Sequence, residues 1–152
     1  MDKTMWTSKR SLKLSILMLY VAAAALLVAM FFVPSMLDWY VQAVGRTKTH
    51  FYVLCSIFYC CCPLFFGILI LLHKVLQNIR GERVFVQRNV DYLRYLSWMC
   101  FGLVPLILVG SAFFPVLFLV SVIVAFIGLL VRVVKNVMAA ACDLKDENDL
   151  TI

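Results

Sequence analysis

Charge is what this sequence has little of. Only 14% of its 152 residues are Asp, Glu, Lys or Arg, against about 25% in a soluble domain. Three stretches, 14–34, 51–72 and 95–131, contain none of these residues and no His. A chain of mean hydropathy +0.99 with such gaps has the bilayer as its solvent, because a spanning helix needs roughly 20 mostly apolar residues. Ion-coupled pumps and transporters usually carry ionisable groups inside their spans, so proton-coupled transport is disfavoured. Also missing are CxxC pairs, CxxCH haem attachment, GxSxG, HExxH and Walker-type patterns, and with them the commonest redox, hydrolase, metalloprotease and nucleotide-binding readings.

What is present is an all-α, single-domain polytopic pattern. The third apolar stretch has 37 residues, too many for one span at about 1.5 Å per residue. Gly110, Ser111 and Pro115 supply a break, since Gly and Pro interrupt helices. The spans are then 14–34, 51–72, 95–112 and 115–131, with a polar loop at 73–94 and a tail at 132–152. A cleaved signal peptide is the competing reading of the first span, but its apolar run exceeds the usual length and Val33-Pro34-Ser35 is a poor cleavage site. With both termini inside, twelve of the fourteen Lys and Arg lie on the cytoplasmic side, leaving Arg46 and Lys48 outside. The positive-inside rule therefore predicts an N-in, C-in topology. It also accounts for the net charge of +6 without direct binding of nucleic acid.

The polar segments carry their own patterns. Trp6, Lys9, Arg10 and Lys13 suit an interfacial anchor. Between Ser35 as N-cap and Gly45 as stop, Met36, Leu37, Tyr40, Val41 and Val44 share a face, which predicts a short separate helix in the interface. Past the second span, Val75, Leu76 and Ile79 extend an amphipathic stripe as far as Gly81. Val86, Val90 and Leu93 form another leading into the third span. Beyond the fourth, Leu130, Val133, Val134, Val137, Met138 and Ala141 do the same. These extensions are expected to bury their stripes against one another in a compact inner-face platform. The acidic end, with Asp143, Asp146, Glu147 and Asp149 against Lys145, can fold back onto Arg80, Arg83 or Arg88, stay solvated, or dock a partner.

The residues that attract a chemical reading have plainer ones beside them. Cys55, Cys60, Cys61, Cys62, Cys100 and Cys142 lack ligand spacing, only Cys55 and Cys62 share a stripe, and small packing residues are the better account. His50 and His73 lie at opposite ends of the second span and cannot meet in one subunit. No nucleophile has a base beside it; no catalytic residue, metal or cofactor is expected.

The run LLHKVLQNIRGERVFVQRNVDYLRYL, the apolar hairpin after it and the ending LKDENDLTI resemble the bacterial membrane family known as domain of unknown function 2975. That family has a Gly-x-x-Phe turn, an Asn-x-x-x-Leu segment and an acidic end close to Asp-Leu-Thr-Ile. Here these map onto Gly81, Phe85, Asn89, Leu93 and Asp149 to Ile152, with one residue more between the Gly and the Phe. The resemblance implies four helices in a bacterial cytoplasmic membrane, no assigned activity, and genes neighbouring a small Cro-type helix-turn-helix regulator. The expectation is a non-enzymatic protein that binds such a cytoplasmic regulator. Arg80, Gly81, Phe85, Asn89, Asp91 and Arg94 would form the loop side. Asp146, Glu147, Asn148, Asp149, Leu150, Thr151 and Ile152 would form the tail side. The alternative is a homo-oligomeric channel or transporter for a small or lipophilic solute. It rests on Ser56, Tyr59, Ser97, Ser111 and Ser121, with close helix approach at Gly67, Gly102 and Gly128.

Overall fold

A computed structural model describes residues 3–81 and 83–149, with side chains for 10–81 and 83–148. Four helices follow in order: α1 (Lys3–Ala43), α2 (Lys48–Arg80), α3 (Gln87–Ser111) and α4 (Val116–Asp149). Each is long and apolar enough to cross a membrane, and the break at Gly110 to Pro115 falls where the sequence places it. The helices form a row: α1 packs on α2, α2 on α3 and α3 on α4. Among the described residues no other pair of helices comes within 8 Å at Cα. The Arg46 guanidinium donates to the Phe113 carbonyl, and the Tyr40 and Phe114 rings lie 5.4 Å apart. The 44–47 and 112–115 turns therefore share one end of the molecule, and the 81–86 turn and both terminal segments lie at the other, called here the terminal end.

Pro34 corrects one expectation. No separate interfacial helix begins at Ser35; α1 runs through Pro34 to Ala43, with Ser35 inside it. A proline inside a helix removes the hydrogen bond to the carbonyl four residues back, which here is Met30. The Tyr59 hydroxyl of α2 donates to that carbonyl at 2.9 Å. A freed backbone group in a span must find a partner within the protein, so the break is repaired from the neighbouring helix and α1 is fixed to α2 at the same point. Tyr59→Phe is expected to cost about 1 kcal/mol, read as an earlier midpoint on titration with a denaturing detergent; an unchanged midpoint would mean that Met30 does not depend on Tyr59. The helix ends where Gly45 takes φ +68°. Arg46 N–H donates to Val41 O and Gly45 N–H to Gln42 O, the paired bonds of a Schellman stop that a left-handed glycine permits.

The least apolar helix is the most buried. α3 has the lowest hydropathy of the four and the largest buried share, whereas α1 is strongly apolar and mostly uncovered. In lipid the hydrophobic effect does not favour helix against helix over helix against lipid; close packing and hydrogen bonds decide instead. The buried positions of α3 include Asn89, Leu93, Leu96, Cys100, Leu103, Ile107 and Gly110. They alternate spacings of four and three, the repeat of a helix seam. Leu103 and Ile107 meet Cys61 of α2, with Ile57, Leu106 and Val124 around them.

Two of the three glycines expected at close approaches are there. A Cβ on Gly128 would stand 3.1 Å from Cys100 Cβ, and one on Gly67 would stand 2.9 Å from the Met99 side chain. Gly102 is corrected: it faces open space, because it lies off the buried stripe of α3.

The compact platform is the third expectation to be corrected. α2 and α4 do continue past their apolar runs, but they do not pack on each other. Val75 is buried between neighbours, whereas Val133, Val134 and Val137 stay more than half exposed. The row places α4 at an edge, where α3 covers only one of its faces.

Candidate functional site at the terminal end

The turn from α2 to α3 is built around one side chain. Asn89 has no exposed surface. Its amide nitrogen donates to the carbonyls of Arg83 at 3.0 Å and Val84 at 2.9 Å, while its oxygen accepts from the Asn78 amide at 2.7 Å. Those two carbonyls belong to a stretch with no helix of its own, and a buried carbonyl without a donor is costly. Asn89 thus fastens the turn to both helices. The end of α2 is closed by Gly81 N–H to Gln77 O and Arg83 N–H to Asn78 O. Gly81 ends the helix as expected but at φ −83°, so a left-handed conformation is not what the position requires. Beside the turn, the Lys74 ammonium lies 5.6 Å from the Tyr92 ring and joins α2 to α3 by a cation–π contact.

The other expected loop-side residues lie around this fastened turn. Arg80, Gly81 and Phe85 are exposed, Phe85 by 50%. Asp91 and Arg94 pair across one helical turn at 3.5 Å, each side chain about half exposed. On the tail side α4 remains helical through Asp149, with Asp143, Leu144, Asp146, Glu147 and Asn148 exposed. Leu150, Thr151 and Ile152 lie outside the described residues, as do the side chains of Trp6 and Asp149. Among the described residues no ion pair joins Arg80, Arg83 or Arg88 to the tail.

One grouping was not anticipated from the sequence. Arg94, Ser97 and Trp98 of α3 face Arg132 and Lys135 of α4 across a cleft of about 100 Å3. The Arg132 guanidinium lies 5.8 Å from the Trp98 ring. Ser97 Oγ donates to Gly128 O at 3.0 Å one turn below. The signal was present as Arg94 and Trp98 at i, i+4 and Arg132 and Lys135 at i, i+3. What joined them was the α3–α4 register.

Inside the spans the polar side chains are mostly engaged. Ser97 and Tyr59 bond backbone carbonyls of neighbouring helices, and Ser111 and Ser121 bond carbonyls three residues back. The six cysteines are free thiols, four of them buried. His73 meets Gln77 at 2.8 Å and the Tyr20 ring at 5.5 Å. His50 stands edge-on to Phe113 near the opposite end of α2. Among the described residues no three His, Cys, Asp or Glu side chains gather as a metal site.

Residues 31–152, from the last third of α1 to the end of the tail, match the family described as "Protein of unknown function (DUF2975)". The chain belongs to that family. No curated protein and no solved structure matches it. The DUF2975 match takes in the Asn89 turn, the α3–α4 seam and the acidic end together.

Proposed function

We propose that the chain is a non-enzymatic protein of the bacterial cytoplasmic membrane, with both termini and the 81–86 turn inside, whose inner face captures a cytoplasmic protein. The observation that carries this reading is the exposed face of the α4 extension, opposite the buried Cys142. Past its apolar run the helix continues to Asp149 with Val137 and Leu144 exposed by 65% and 67%. These two are seven residues apart and so on one face, flanked by the exposed acids Asp143, Asp146 and Glu147. Apolar side chains in water mark a surface that another protein covers, and the acids give it the sign that complements a basic domain. A small helix-turn-helix DNA-binding regulator has that basic surface and is the partner that the family context supports. Arg80 at the end of α2, Phe85 in the fastened turn and Asp91 in α3 supply the rest of the contact, and Asn89 shapes it from beneath.

Deleting Asp146 to Ile152 is expected to leave membrane insertion intact and to abolish recovery of the regulator after cross-linking in native membranes. Recovery that survives the deletion removes the tail from the site. The channel reading finds little support, since four of its five pore-polar candidates are spent on backbone carbonyls. Dye leakage from liposomes carrying the purified protein would restore it.

A further inference from the structure

We propose that the cleft between α3 and α4 binds the phosphate group of an anionic phospholipid, held by Arg132, Lys135 and Arg94 against the ring of Trp98. The inference is independent of partner capture. It begins with charge: three cations line one small cleft, and the acid paired there, Asp91, is engaged with Arg94. Among the described residues Arg132 and Lys135 have no carboxylate partner. Like charges converging from two helices repel unless an anion lies between them, yet here they are held together. Ser97 bonds the backbone of Gly128 at 3.0 Å, and the missing side chain at Gly128 brings α4 against Cys100. With the helices locked one turn below, the backbone positions that carry the cations stay close.

Size and position then select the ligand. Pockets for whole small molecules measure roughly 300–1,000 Å3; about 100 Å3 admits one compact anionic group, with the rest of its molecule outside. A guanidinium offers a planar pair of donors that match two phosphate oxygens, and a nearby ammonium adds a point charge. Arg94 directly precedes the uncharged stretch 95–131 and Arg132 directly follows it, so the cleft lies where the apolar helix surface gives way to polar. That is the depth of lipid headgroups. Trp98, 62% exposed, has the amphipathic ring that favours this depth, and basic pockets between spanning helices at this level suit anionic headgroups. A soluble phosphate would meet the same donors, but only a lipid would also place acyl chains along the uncovered flanks of α3 and α4.

The test uses the full-length protein in nanodiscs and in neutral detergent. Native mass spectrometry should show retained phosphatidylglycerol in preference to phosphatidylcholine. The double variant Arg132→Gln, Lys135→Gln should lower phosphatidylglycerol affinity at least tenfold, whereas Lys74→Gln with Lys145→Gln, the same charge loss elsewhere, should change it less than threefold. Arg132→Lys, which keeps the charge but not the planar donor pair, should lose less affinity than Arg132→Gln, which separates loss of charge from loss of the fold. Equal retention of the two lipids, or equal loss in both double variants, overturns the site. Saturation by inorganic phosphate as strong as by phosphatidylglycerol overturns the lipid as its source.

Discussion

Replacing Asn89 with leucine is expected to release the 81–86 turn and destabilise the protein by about 2–4 kcal/mol. Leucine resembles asparagine in size but has neither donor nor acceptor, so the carbonyls of Arg83 and Val84 and the amide of Asn78 lose their partner together. Each such loss in a buried setting costs about 1–3 kcal/mol, and water entering from the exposed side of the turn recovers part of it. Asn89→Asp should do no better. A carboxylate can still accept from Asn78, but it cannot donate to the two carbonyls and would set a charge beside them at a site with no exposed surface. Asn78→Ala removes one of the three bonds and is expected to cost about 1 kcal/mol. Detergent-induced unfolding gives the stability, and hydrogen exchange at Arg83 to Val86 gives the turn. If exchange there is unchanged in Asn89→Leu, the side chain is not the fastener and belongs with the exposed contact residues instead.

The asparagine also shows how far a sequence of this kind can be read. Its position was marked by the family pattern, and its inward direction was within reach. Asn89 stands four residues before Leu93 and on the three-and-four stripe that continues through Leu96, Cys100, Leu103 and Ile107, all buried. Following that stripe backwards from the span would have placed the side chain inside. The four spans and the break near Pro115 were legible because missing charge and helix-breaking residues are local signals.

The continuous α1 was not, because Pro34 reads locally as an interruption. Its repair comes from Tyr59, 29 residues along from the Met30 carbonyl that it bonds, and depends on an interhelical register that no single stretch encodes. The exposed stripe of α4 has a similar origin. Amphipathic periodicity says that one face is apolar, but which neighbour covers it depends on the order of the helices. In a row, an edge helix keeps part of that face bare. The cationic cleft escaped notice for the same reason, since its two halves are 34 residues apart at the closest and each alone looks like an ordinary interfacial pair.

The same register yields the second large effect. Gly128→Leu is expected to destabilise the α3–α4 seam by about 1–3 kcal/mol and to weaken phosphatidylglycerol binding although every cleft side chain remains. The ideal Cβ already stands 3.1 Å from Cys100 Cβ and 3.5 Å from the Phe101 ring. Cys100 Cβ is fixed to its backbone and cannot swing away, so the three further carbons of leucine can be admitted only if α4 moves off α3. That movement stretches the Ser97 bond to the Gly128 carbonyl and lets Arg132 and Lys135 separate from Arg94. Gly128→Ala asks for a few tenths of an ångström and adds helix propensity, so its cost should stay under about 1 kcal/mol. Ser97→Ala removes the bond without pushing the helices apart and should cost about 1 kcal/mol while keeping most of the lipid affinity. The three variants separate packing from hydrogen bonding in one detergent-unfolding series. If Gly128→Leu unfolds at the native midpoint and retains lipid as the native chain does, the close approach is not what holds the cations together, and the cleft must owe its shape to the Trp98–Arg132 contact alone.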